Sequence, residues 1–152
     1  MTELTDRHRR LARAVGRWEG GEESVVPDAK GAVRAFSETR MVAGGRIRVT
    51  EHRHEMAGEV VLEGHSVTVW DPVRSACVMY WFDAGGGPPV EYAGDFDGDL
   101  LILEGPGPEG TRIRHVTDLP DADTMRTRSY LSRDGVAWDQ VFTGRYHRVA
   151  SG

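Results

Sequence analysis

The spacing of apolar residues along the chain changes once, near Gly16. Before it, Leu4, His8, Leu11 and Val15 recur at steps of 4, 3 and 4, which marks one face of a helix over residues 3–15. Thr5 or Thr2 can cap its start and Gly16 can end it. A helix this short is marginal alone in water and needs a surface to pack on. After Gly16 the period falls to two. Alternation predicts ten strands, over 17–26, 31–40, 45–56, 59–70, 76–83, 90–97, 99–104, 111–118, 124–132 and 136–148. Turn-forming residues separate them: Pro27-Asp28, Gly44-Gly45, Ala57-Gly58, Asp71-Pro72, Gly85 to Pro89, Asp97-Gly98, Gly105 to Pro108, Pro120-Asp121 and Asp134-Gly135. Asp134-Gly135 between two alternating runs is a strong hairpin signal.

Short connections between consecutive strands predict an up-and-down antiparallel meander. Ten such strands leave two long edges unless the sheet closes on itself. The expected fold is therefore all-β: one antiparallel up-and-down barrel of about ten strands over 17–148, a short helix in front of it, and a single domain over 1–152. A barrel of this size has room for one small ligand. In the last strand Trp138, Gln140, Phe142, Tyr146 and Arg148 share one face by strict alternation, and their aromatic weight points that face inward. In the third strand, Ile47, Val49 and Glu51 are expected inward, with His52 and His54 outward.

The 19 glycines form no repeat or linker and fit a fold with many tight turns. A net charge of −5 with scattered arginines gives no expectation of nucleic acid or an anionic membrane as partner. No apolar stretch is long enough to span a bilayer, and the polar N-terminus does not read as a signal peptide. Cys77 is the one cysteine, so no internal disulfide is possible and a reducing, cytoplasmic setting is expected. It reads as a buried apolar side chain and not a nucleophile.

Gly16-Arg17-Trp18 resembles the Gly-x-Trp that opens the first strand of lipocalins and related calycins. The resemblance implies an arginine on the last strand packed across the tryptophan, here Arg148, with Arg145 second. More of the chain resembles a bacterial family of calycin-like domains, related in architecture to fatty-acid-binding proteins and haem-binding nitrobindins. Leu11 to Gly20 matches its opening. Gly45-Arg46-Ile47 with Glu51, Glu63-Gly64, Trp70-Asp71-Pro72, Trp81-Phe82-Asp83, Tyr92-Ala93-Gly94 and the hairpin from Asp134-Gly135 to Tyr146-His147-Arg148 resemble later segments. This implies a fold and assigns no activity.

Several constellations carry possible chemistry. Nitrobindin-like barrels hold haem through a histidine near the final strand. Here that stretch has Gln140 and Val141, and the nearby His147 points away from Trp138 and Phe142. His52, His54 and the neighbouring His65 are of types that suit zinc, copper or iron, against the plainer reading of a polar outer face. Glu51 and Asp83 are the acid–base candidates, since a carboxylate in an apolar cavity holds its proton to higher pH. Arg126, Arg128 and Tyr130 share a face that resembles a carboxylate-binding set or a solvated wall. A nucleophile elbow and a phosphate loop are absent from the sequence.

The expected function is binding of a small, largely hydrophobic or aromatic metabolite inside the barrel. Trp70, Trp81, Tyr92, Trp138, Gln140, Phe142 and Tyr146 are the expected contacts, and Trp18 with Arg148 the closure of one end. One alternative is a cofactor-free cyclase or isomerase using Glu51 or Asp83. Another is a haem or metal protein. No cofactor and no metal ligand set is assigned, and a homodimer is left open.

Overall fold

The alternating segments become ten strands that form one closed sheet. The computed structural model describes residues 3–26 and 31–150. The elements are α1 (Asp6–Ala12), β1 (Gly16–Ser24), β2 (Ala32–Val42), β3 (Ile47–Met56), β4 (Glu59–Asp71), β5 (Ala76–Asp83), β6 (Val90–Asp97), β7 (Leu100–Pro106), β8 (Arg112–Asp121), β9 (Thr124–Ser132) and β10 (Asp139–Val149). Each strand pairs antiparallel with the next, and β10 returns to β1 to close the barrel. The expected Pro27-Asp28 turn and the Thr2 cap lie outside the described residues. Among those described, no helix is long and apolar enough to cross a membrane.

The turns follow their residues. Ala57 and Gly58 both take positive φ, 53° and 81°, as a two-residue hairpin turn requires. Asp134 Oδ1 accepts from the backbone N–H groups of Val136 and Ala137 at 2.8 and 2.9 Å, which fixes the last hairpin.

The helix is shorter than its pattern predicts and acts as a plug. Thr5 caps it, its N–H donating to His8 Nδ1 at 2.9 Å. Leu11 is fully buried with Cys77, Leu101 and Leu103, and Trp70, Met79, Tyr92 and Phe96 pack around them. Arginines fasten the plug. Arg7 pairs with Asp95 at 3.0 Å and lies over Trp70, Arg10 lies over Phe96, and Arg13 pairs with Asp99. At the same end the Arg148 guanidinium sits 4.3 Å from the centre of the buried Trp18 ring. It donates to the carbonyls of Val15, Arg13 and Ala122. The Trp18 indole N–H donates to Ala14 O at 2.9 Å, so no buried donor is left open there.

Strand register settles which face is inward. Trp18 pairs with Ser37 and Arg148, Ser37 with His52, and Arg48 with Thr68. The inward face of β3 is therefore Arg48, Thr50, His52 and His54, and Glu51 points out. This reverses the expected orientation of that strand. The reason lies on the outer wall. Val49 pairs with Val67, Ile47 with Val69, and Val69 with Val78, so the apolar residues of β3 bury against each other outside the barrel. Val49 and Val78 are 7% and 1% exposed there. The rule that apolar residues point inward fails where the outer wall carries its own apolar ridge.

Candidate functional site

The lumen above the helix plug is lined by ionisable and aromatic groups from six strands. In β1, alternation from the buried Trp18 carries Gly20 and Glu22 inward. Glu22 Oε1 accepts the Tyr146 hydroxyl at 2.6 Å and the Thr127 hydroxyl at 3.0 Å. Its other oxygen faces His54 Nε2 at 3.8 Å. Gly144 lies opposite Glu22 and leaves room for this arrangement, since a Cβ there would stand 2.2 Å from Thr127 Oγ1 and 2.8 Å from Glu22 Cγ. Burial, with the adjacent carboxylate, drives the Tyr146 hydroxyl far above its ordinary pKa, so it stays a donor. The Glu22 and His54 side chains point into the barrel yet keep 23% and 20% of their surface exposed. The lumen is therefore not filled by protein, and water reaches it.

Two further histidines stand deeper. His52 Nε2 lies 3.1 Å from Ser66 Oγ, and its ring meets the Trp81 indole edge-on with centres 5.3 Å apart. Trp81 can occupy that place because Gly64 across the sheet has no side chain: a Cβ there would lie 2.3 Å from the indole. Desolvation first, then the neighbouring His54 and Arg48, push the His52 pKa down to about 3, so the ring is neutral at pH 7. His115 Nδ1 lies 2.9 Å from Ser129 Oγ beside the Tyr92 ring, and desolvation lowers its pKa too. Neutral imidazoles of this kind offer both a donor and an acceptor without charge. Among the described residues, no group of three or more His, Cys, Asp and Glu is arranged to hold a metal ion. His65, expected beside His52 and His54, is on the outer wall.

The structure separates the residues expected to form the site. Trp81, Tyr92 and Tyr146 line the lumen together, and Phe142 stands inward at its mouth, 44% exposed. Trp70 points inward at the plugged end. Glu51 is on the outside, exposed, and pairs with His65 at 2.9 Å, so it is no interior acid or base. Asp83 sits exposed at the rim and accepts from Gly85 N–H at 2.8 Å. Trp138 and Gln140 are outside as well. A bulge between Gln140 and Phe142 shifts the alternation of β10, so Trp138 and Gln140 before it face out while Phe142, Gly144, Tyr146 and Arg148 face in. Trp138 instead lies on the outer wall under Arg114, 4.0 Å from ring centre to guanidinium, and Arg114 is held by Glu104.

Glu22 and His115 go beyond the expected set, and His54, expected on the outer face, points inward. Glu22 had a readable signal, since it lies four residues beyond Trp18 on one strand face. His115 sits between Ile113 and Thr117, opposite the arginine face of β8.

These features define a class: a closed ten-stranded antiparallel barrel, plugged at one end by a helix, with polar and aromatic side chains inside. The chain belongs to the DUF1579 family, described as a protein of unknown function, whose profile matches residues 3–148. No curated protein matches the sequence. Solved structures share the fold. Rv2717c from M. tuberculosis superposes with a TM-score of 0.67 at 15% identity, over 97% of this chain and 100% of the other. The S-type phycobiliprotein lyase CPES from Guillardia theta gives 0.63 at 11% identity, over 98% and 100%. A de novo designed fluorescence-activating beta barrel gives 0.50 at 13% identity, over 96% and 100%.

Proposed function

We propose that this protein is a small-molecule-binding barrel of the calycin kind, taking a largely hydrophobic or aromatic organic molecule into its lumen. One observation carries the reading: Glu22 and His54 face inward and still keep solvent-exposed surface. Trp81, Tyr92 and Phe142 supply flat apolar walls, and neutral His52 and His115 supply hydrogen bonds without a charge to desolvate. The shared fold with a phycobiliprotein lyase and with a fluorescence-activating barrel is consistent with an occupied interior. Native mass spectrometry of the protein as purified, set against its denatured mass, tests this. A retained organic mass, or saturable quenching of Trp81 by added aromatic compounds, is expected. Absence of both would sink the reading.

A second reading, a cofactor-free cyclase or isomerase, rests on Glu22 facing His54 at 3.8 Å. One group removes a proton from the bound molecule and the other returns it at a second position. On this reading Glu22→Gln abolishes turnover and leaves ligand binding within about threefold, whereas a carrier shows no turnover in either form.

A further inference from the structure

Arg48 and Thr68 are register partners on β3 and β4, and both point into the barrel. Each ends in an unsatisfied group. Among the described residues, Arg48 Nε and Thr68 Oγ1 are the buried side-chain nitrogen and oxygen atoms with no hydrogen-bond partner. Their adjacency is informative, because buried donors in native proteins are nearly always paired. The remaining contact of the guanidinium is one long hydrogen bond from Nη1 to Leu11 O at 3.5 Å. No carboxylate of the described residues pairs with it. Its neighbour Cys77 supplies no counter-charge, since burial pushes that thiol up to about 11. Desolvation lowers Arg48 to about 10, still far above neutrality, so the cation persists inside the barrel. Arg48 is nonetheless only half-buried by surface, as expected for a side chain that borders internal space.

We propose that Arg48 and Thr68 form the seat for a carboxylate carried by the lumen ligand. The proposal rests on the reading of the barrel as a binding protein and names the ligand class: an organic monoacid with an aromatic or apolar body. The chemistry fits in three respects. A guanidinium presents two parallel N–H groups, including Nε–H, that match the two oxygens of a carboxylate, and the Thr68 hydroxyl adds a third donor. One fixed cation matches one negative charge, whereas a phosphate dianion would leave charge unbalanced. The seat also lies beside the apolar floor made by Leu11 and Met41, so the body of the acid extends toward His52 and Trp81. Glu22 does not compete for the cation, because Tyr146 and Thr127 already hold it.

The test is a titration of the full chain with 2-naphthoate and with its uncharged analogue 2-naphthamide, by calorimetry and by the NMR signal of Arg48 Nε–H. Wild type is expected to bind the acid at least about tenfold more tightly than the amide, with the Nε–H signal moving downfield only for the acid. Arg48→Met is expected to bind the two alike while melting at or above the wild-type temperature, since it removes an unpaired buried charge. Thr68→Val is expected to weaken the acid by about threefold to tenfold and leave the amide unchanged. Equal binding of acid and amide to wild type, or a preference that survives in Arg48→Met, overturns the seat and leaves lumen binding standing. Binding of neither probe to wild type overturns lumen binding and the seat with it. Inorganic phosphate displacing the acid at lower concentration overturns the carboxylate assignment.

Discussion

The Tyr146 hydroxyl donates to Glu22 at 2.6 Å inside the barrel, linking the last strand to the first where the sheet closes. A hydrogen bond to a charged acceptor is worth about 1.5–3 kcal/mol, so Tyr146→Phe is expected to lose that much stability in urea denaturation. A loss under about 0.5 kcal/mol would mean that water in the lumen replaces the hydroxyl fully. A double-mutant cycle with Glu22→Gln isolates the pair.

Stability should fall on mild acidification because of His52. The imidazole titrates near 6.5 when solvated and near 3 in the fold, so between these values the unfolded chain holds the extra proton. The contribution is fully present above pH 6.5 and is lost as pH drops toward 3, at up to about 1.4 kcal/mol per pH unit. His115, also lowered, acts in the same sense. Chemical denaturation at pH 7, 5.5 and 4.5 should show the slope in wild type and a shallower one in His52→Gln. Identical slopes would show that His52 is protonated in place.

Ligand-dependent fluorescence should come from Trp81 and not from Trp138. Trp81 touches His52 inside, while Trp138 lies under Arg114 on the outer wall. Trp81→Phe is expected to remove most of the quenching by an aromatic ligand, and Trp138→Phe to leave it intact. The reverse result would place the bound molecule outside the barrel.

Gly144 should not tolerate even a methyl group. The added carbon would meet Thr127 and Glu22 at 2.2 and 2.8 Å. Gly144→Ala is expected to cost about 1–3 kcal/mol, the range for overpacking. It should also shift the NMR signals of Tyr146 and Thr127 as Glu22 is displaced. Unchanged signals would mean that the strand moves outward instead.

Arg148 should resist conservative replacement. Its guanidinium covers Trp18 and donates to carbonyls of the helix exit and of the β8–β9 turn. An ammonium cannot reproduce that planar set of donors. Arg148→Lys is therefore expected to recover less than half of the roughly 2–4 kcal/mol lost in Arg148→Met, read from urea midpoints. Full recovery by lysine would show that charge alone matters.

The sequence by itself determined the ten strands, their turns and their order. Each of these depends on local signals: two-residue alternation, and turn residues such as Ala57-Gly58 and Asp134-Gly135 whose backbone geometry acts within a few residues. Closure also followed, because an open ten-strand sheet leaves unpaired edges. Of the residues expected to face the lumen, Trp70, Trp81, Tyr92, Phe142 and Tyr146 point inward, because each pairs across the sheet with another inward residue.

Only the tertiary structure decided which face of β3 looks inward. Alternation gives two faces and no sign, and the apolar ridge of Val49, Val67, Val69 and Val78 on the outer wall is assembled from three strands. It turned Glu51 outward and Arg48, His52 and His54 inward. Likewise the bulge at Gln140/Phe142 is a register event between β9 and β10, and it removed Trp138 from the lumen. The pairing of Glu22 with Tyr146 joins residues 124 positions apart, and the facing of Arg48 and Thr68 depends on strand register. Contacts of that kind exist only once the barrel has closed, because strand geometry sets a residue's face locally while register across the sheet sets its neighbours.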